Sequence, residues 1–198
     1  NGTGSFIYNG VANQVVGDAL PVTVRNLTIS NSGAAGNDNV TLDKDITILG
    51  NLTVTDGRFD VSTHALAGSG GNFNISNNAI FAIGGSNNLQ DAAEGFGNYS
   101  GIQQFGITEF YGNNQYLDVL PAAMHPVALG YGSVLVTDAG TKYVQNTASA
   151  LLIRGELVVR NAARFRNEHN ASEFPVIINW GVLNSAEIDN DGVLEIGQ

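Results

Sequence analysis

Two stretches of this chain, roughly a hundred residues apart, repeat one another. Phe6-Ile7-Tyr8-Asn9-Gly10 opens one copy and Glu109-Phe110-Tyr111-Gly112 opens the other. Gln14 and Gln115 follow the respective glycines. Asn26-Leu27-Thr28-Ile29 then answers to Ser133-Val134-Leu135-Val136. The longest match sets the run from Ile46 to Val54 against the run from Leu151 to Val159, each with a central glycine, Gly50 and Gly155. Both copies end at a phenylalanine, Phe59 and Phe165. Internal duplication of this kind belongs to repeat architectures, in which each unit buries its apolar side only by stacking on its neighbours. It directs attention to an extended structural or binding surface more than to one buried active site.

The repeated pieces read as strands. Val22-Thr23-Val24, Leu27-Thr28-Ile29, Val40-Thr41-Leu42, Ile46-Thr47-Ile48, Leu52-Thr53-Val54 and Phe59-Asp60-Val61 alternate with period two and are separated by Asn, Asp, Ser and Gly. Charged residues make up 13% of the chain, about half of the usual ~25%, which leaves too little Glu, Lys and Arg to clothe a helical bundle. A content of 43% hydrophobic residues is too high for disorder. The 25 glycines and abundant asparagines suit tight bends, because both tolerate positive φ. Residues 148–167 carry enough Ala, Leu and Arg to favour helix on propensity. Gly155 and the alignment with the Thr- and Val-rich first copy favour strand instead.

Together these features predict an all-β, parallel β-helix (solenoid), with right-handed winding expected. A first repeat block spans 1–83, a loop spans 84–101, a second degenerate block spans 102–168, and C-terminal rungs span 169–198. In those last rungs Gly181-Val182-Leu183-Asn184 recurs as Gly192-Val193-Leu194-Glu195. The chain reads as a piece of a longer parent.

The net charge of −10 and pI of about 4.4 argue against a nucleic-acid partner, which needs a basic footprint. The absence of cysteine excludes disulfides, thiolate metal sites and cysteine nucleophiles. No apolar run approaches the ~20 residues of a membrane span.

With its Phe-x-Tyr-x-Gly, Asn-Leu-Thr-Ile and Ile-Leu-Gly-Asn-Leu-Thr-Val-x-x-Gly-x-Phe-Asp-Val segments, the first block resembles repeats of very large surface proteins of the Bacteroidota. Those proteins are exported by the type IX secretion system, and some act as adhesins. Residues Phe6 to Val61 carry the likeness best, and residues Glu109 to Phe165 are a worn copy. The resemblance implies a secreted, extracellular or cell-surface structural module, part of an adhesin or fibre. Its partners would be neighbouring repeats, copies of itself, or surface glycans.

Candidate sites are sparse. Glu187, Asp189 and Asp191, followed by Gly192, have the look of an oxygen-ligand calcium loop, although a helix-flanked version would need Glu where Gln198 stands. Asp38, Asp43 and Asp45 form a second acidic patch. His64, His125 and His169 show no metal-ligand spacing. Arg154, Arg160, Arg164 and Arg166 concentrate half of the basic residues and could meet an acidic glycan. Tyr99 heads a group of aromatic residues from which a sugar-stacking surface could be drawn. Asn26, Asn39, Asn51, Asn74, Asn98 and Asn170 stand in Asn-x-Ser/Thr triplets, read here as turn asparagines beside strand residues. No catalytic residue is assigned. The alternative is a polysaccharide-binding or polysaccharide-degrading β-helix, a lyase or glycoside hydrolase. It requires a groove with at least two carboxylates and a basic residue in mutual reach, and Asp56, Arg58 and Asp60 are close in sequence.

Overall fold

Alternation turns into strands whose apolar members all face one way, and parallel stacking of such strands builds one continuous interior. The computed structural model describes residues 4–68, 70–87, 99–118, 130–144, 151–160, 162–167, 176–178, 188–190 and 193–195. Every strand pairing among them is parallel and none of these residues is helical, so the chain is a β-solenoid of stacked coils.

Sheet A stacks β1 (Ser5–Tyr8), β4 (Asn26–Ser30), β7 (Leu52–Asp56), β10 (Asn72–Ile75) and β12 (Gly101–Gln104). Sheet B is the longest, with eight strands: β2 (Gln14–Val15), β5 (Asn39–Thr41), β8 (Arg58–Asp60), β11 (Ile80–Ile83), β13 (Ile107–Phe110), β15 (Ser133–Val136), β18 (Leu157–Val159) and β21 (Ile188–Asn190). Sheet C holds β3 (Thr23–Val24), β6 (Ile46–Ile48) and β9 (Leu66–Gly68). Sheet D holds β14 (Gln115–Leu117), β16 (Gly140–Val144), β19 (Ala163–Asn167) and β22 (Val193–Glu195). Sheet E pairs β17 (Leu151–Ile153) with β20 (Val176–Ile178), and Tyr131 extends it through a bridge to Ile153. The ambiguous stretch after Ala148 thus contributes strands β17, β18 and β19. The described flanks of the expected 84–101 loop are Gly84–Asn87 and Tyr99–Gly101. They are bracketed by continuous pairing of β10 with β12 and of β11 with β13.

The interior is a set of ladders. In sheet B, Val40, Phe59, Phe81, Thr108, Val134 and Leu157 follow one another in register. In sheet A, Leu27, Leu52, Phe73 and Ile102 do the same. Phe81 packs against Phe73 edge-on at 4.7 Å and against Phe59 at 6.0 Å. Full burial of each such side chain contributes roughly 1.5–3 kcal/mol. Gln104 interrupts the apolar interior. It is fully buried, its Oε1 accepts a 2.9 Å bond from Thr108 Oγ1, and its Nε2 has no partner among the described residues.

At the corners, asparagine side chains tie each rung to the next. Asn26 Nδ2 donates to Ser5 Oγ (2.8 Å), Asn51 N donates to Asn26 Oδ1 (2.8 Å), and Asn72 N donates to Asn51 Oδ1 (2.9 Å). Gly50 is glycine because a Cβ there would meet Asn26 Oδ1 at 2.5 Å and the Arg25 carbonyl at 2.7 Å.

The second copy reproduces these details on a different side of the coil. Gln14 Oε1 accepts from Gly10 N, and Gln115 Oε1 accepts from Gly112 N. Asn13 Oδ1 receives Asn39 N, as Asn114 Oδ1 receives Thr141 N. Gly50 N donates to the Arg25 carbonyl, as Gly155 N donates to the Gly132 carbonyl. Ser133 Oγ takes the role of Asn26 by accepting from Glu156 N at 3.1 Å. Yet β1 and β4 lie in sheet A while their counterparts β13 and β15 lie in sheet B, and β8, with Phe59, answers to β19, with Phe165, in sheet D. The duplicate is therefore displaced by four turns, from β1 to β12 along sheet A, plus one further face.

One substitution stands out in this superposition. Val40 lies in register between Gln14 and Phe59, and its equivalent Lys142 lies between Gln115 and Phe165. Lys142 is fully buried, and its Nζ donates to the Thr137 carbonyl at 2.7 Å, with the Asp138 and Ala139 carbonyls at 3.4 Å. Burial lowers its pKa from 10.5 to about 8, against the opposing pull of Asp138.

Candidate functional site

Outward positions of sheet B bring together charges that are far apart in sequence. Asp60, Ala82 and Glu109 occupy one register line across β8, β11 and β13. Ala82 carries only a methyl group. Arg58 reaches from β8 to both acids: Nη1 lies 2.7 Å from Asp60 Oδ2, and Nε lies 2.9 Å from Glu109 Oε2. Nη1 also donates to Asn39 Oδ1 at 3.2 Å. Tyr111 O–H donates to Asp60 Oδ1 at 2.6 Å, and its ring lies under the guanidinium, 5.3 Å from Cζ. Ser62 N donates to the same Asp60 oxygen, and Thr137 Oγ1 donates to Glu109 Oε1.

The electrostatics follow from the packing. Burial alone would lower the Arg58 pKa, but Glu109 and Asp60 outweigh it and raise it, so the guanidinium stays charged. Burial, followed by the bond to Asp60 and its charge, raises Tyr111 well above the ordinary phenol value and keeps it a proton donor. Asp60 already accepts from Arg58, Ser62 and Tyr111. Arg58 Nη2 is the member with donors still unengaged by any described residue. The cluster therefore resembles a nearly saturated polar clasp across three rungs, with one edge able to meet an anion.

Arg58 and Asp60 were legible as a local pair. Glu109 and Tyr111 were not, because the rung-to-rung register that joins them depends on coil lengths. Asp56, the third member of the expected set, instead accepts a bond from Gly57 N.

The other candidates disperse. Tyr99 lies in the core, 4% exposed, with its ring 5.5 Å from that of Phe73, so it offers no outer sugar platform. The mixed pattern of Gly, Asn and aromatic residues around it concealed an inward position. Arg160, Arg164 and Arg166 are exposed. Arg154 lies over the Phe105 ring at 5.5 Å. Asp189 belongs to β21, in register with Val158, whereas Glu187 and Asp191 lie outside the described residues, as do His125 and His169. Asp45 Oδ1 accepts from Ala65 N and lies 3.5 Å from His64 Nδ1. Asp38 caps Gly36 N. Among the described residues no three His, Asp or Glu side chains converge as metal ligands. The side-chain amides of Asn26 and Asn51 are engaged in the corner contacts described above, and that of Asn39 accepts from Arg58 and donates to Thr41 Oγ1 at 3.0 Å; Asn98 and Asn170 lie outside the described residues.

A cleft of about 410 Å³ at one corner is lined by Arg25, Asn26, Leu49, Gly50 and Asn51. It contains no carboxylate and so offers no acid–base pair. Sheet D presents a different surface. Tyr116 and Tyr143 occupy one outward register line, their ring centroids 5.4 Å apart, and Arg166 continues that line on the next rung. No protein-family model, no curated protein and no solved structure matches the chain.

Proposed function

We propose that the chain is a stiff, non-catalytic module of a secreted bacterial cell-surface adhesin or extracellular fibre. The observation that supports this most is sheet B, whose eight stacked strands run through both copies over one shared interior. Seven rung spacings of ~4.8 Å give a rod of ~34 Å, held by hydrogen bonds aligned along its axis and suited to bearing load. The terminal rungs of such a coil expose strand edges that another rung can pair with, so end-to-end assembly belongs to the same reading. Export by the type IX route rests on the resemblance of the first block. Negative-stain imaging across a concentration series tests the assembly. Rods that lengthen with concentration support it, and isolated particles of constant length at every concentration overturn it.

The second reading is a polysaccharide-binding or polysaccharide-degrading β-helix. The observation that favours it is Arg58, a cationic side chain within reach of two carboxylates, Asp60 and Glu109. Incubation with acidic and neutral glycans, followed by assay for new reducing or unsaturated ends, distinguishes degradation from binding.

A further inference from the structure

A strand at the end of a parallel stack leaves its outer N–H and C=O groups unpaired, and a strand from another chain can satisfy them. Among the described residues no strand pairs with the outer edge of β1 or with that of β22. The internal duplication indicates what fits the edge of β1. Its counterpart β13 is covered by β11, with Ile80, Phe81, Ala82 and Ile83 opposite Ile107, Thr108, Glu109 and Phe110. There Gln115 Nε2 donates to the Ile83 and Asn87 carbonyls, each at 3.1 Å, and Tyr111 N donates to the Ile83 carbonyl at 3.0 Å. A Cβ on Gly112 would run into the Gly85 carbonyl oxygen of the covering coil. The first coil repeats these parts without the cover. Gln14 Oε1 accepts from Gly10 N, whereas Gln14 Nε2 has no partner among the described residues. The three atoms nearest a Cβ on Gly10 all belong to the end of the Gln14 side chain, so the close approach made at Gly112 is vacant at Gly10. Alignment of β1 on β13 through their partners β4 and β15 sets Tyr8 against Phe110. Phe110 is fully buried and Tyr8 only partly so. Ile7, Val11, Val15 and Val22, all in this first coil, are 62–73% exposed.

The chain also carries a match for the cover. β11 pairs with β8 through Phe81 and Phe59, and β22 pairs with β19 through Leu194 and Phe165, so β22 is the counterpart of β11 in the second copy. The sequences agree, Ile80-Phe81-Ala82-Ile83-Gly84 against Val193-Leu194-Glu195-Ile196-Gly197. We propose that β22 of one molecule pairs in parallel with β1 of a second molecule of this chain, with Val193, Leu194, Glu195 and Ile196 opposite Ser5, Phe6, Ile7 and Tyr8. Gln14 Nε2 then donates to the Ile196 carbonyl, as Gln115 Nε2 does to that of Ile83. The spacing agrees too. β14 lies one face after β13, and a strand added beyond β22 lies four turns from β14, so the offset between molecules equals that between the internal copies. This junction rests on the end-to-end reading above and gives it a polarity and a register. Within the chain β12 lies between β11 and β13, whereas between molecules one strand pair carries the contact, which corresponds to a Kd of ~10 µM–1 mM.

The test is sedimentation velocity of the full chain at concentrations up to ~1 mM, the upper end of that range. The sedimentation coefficient of the wild type should rise with concentration, and an excess of a synthetic peptide of residues 190–198 should suppress the rise by occupying β1, while a scrambled peptide should not. Gln14→Glu keeps the acceptor for Gly10 N but turns the free donor into an acceptor facing carbonyls, and Gly10→Ala obstructs the close approach. Each should weaken association by ~10-fold or more while circular dichroism matches the wild type. Association that survives unchanged in both variants and in excess peptide would overturn this junction and leave end-to-end assembly by another contact. A wild type that stays monomeric throughout the series would overturn the junction and the assembly together.

Discussion

Replacing Lys142 with valine would give the second copy the side chain that the first copy carries at the same rung, Val40. The buried ammonium makes this substitution informative. A pKa of about 8 in the folded chain, against 10.5 for the free side chain, means that the folded state holds its proton less tightly than the unfolded state. The displacement is worth ~3 kcal/mol as an upper figure, because three backbone carbonyls partly replace water around the amine. The sign is set by proton counts. Between pH 8 and 10.5 the unfolded chain binds more protons at this site, so stability rises with pH across that window. The buried Tyr131 and Tyr99 act oppositely. Burial raises their pKa values, so the unfolded chain begins to lose protons near pH 10 while the folded chain keeps them, which favours unfolding above that point. The clean interval is therefore pH 8–10. Urea unfolding followed by circular dichroism should show the midpoint of the wild type climbing through this interval by the equivalent of ~2–3 kcal/mol. The Lys142→Val variant should lack that climb. A wild-type midpoint that falls or stays level, or an equal climb in the variant, would refute the placement of this amine in the interior.

Other substitutions probe the ladders and the clasp. Phe81→Ala removes the ring between Phe73 and Phe59 and should cost ~3–5 kcal/mol in urea unfolding. Asn26→Ala and Ser133→Ala each remove the side-chain acceptor for a corner N–H, so both should lose ~0.5–1.5 kcal/mol, and similar losses would confirm that the two corners are equivalent. Arg58→Leu leaves Asp60 and Glu109 without their shared cation and should cost ~1–3 kcal/mol after allowance for partial solvent exposure, measured as a shift in the thermal midpoint.

Much of the fold was legible because the physics behind it is local. Period-two alternation identified the strands, asparagine and glycine marked the corners, and the duplication showed that units stack. What lay beyond reach depended on coil lengths. Asp60 reaches Glu109 through Ala82, and the intervening rungs differ in length, so no constant spacing reveals the pairing. Lys142 escapes a sequence reading for another reason. In Gly-Thr-Lys-Tyr-Val, hydropathy alone would turn the lysine out and the tyrosine in, but Val144 and the pairing with Gln115 fix the opposite phase. Tyr99 carried the reverse error, because an aromatic residue beside a Gly- and Asn-rich segment looks like a surface feature until Gly68 is seen to make room for its ring.

The one-face offset between copies has a directional meaning. Equivalent corners, such as those of Gly50 and Gly155, look out along different bearings around the axis. Each coil runs through three faces, as β1, β2 and β3 do in sheets A, B and C before β4 returns to sheet A, so a tandem series built with the same offset would aim each successive corner one face onward and return to the first heading at the fourth copy. Such a filament would have no privileged flank: whatever one copy displays would, over three copies, be offered all the way round.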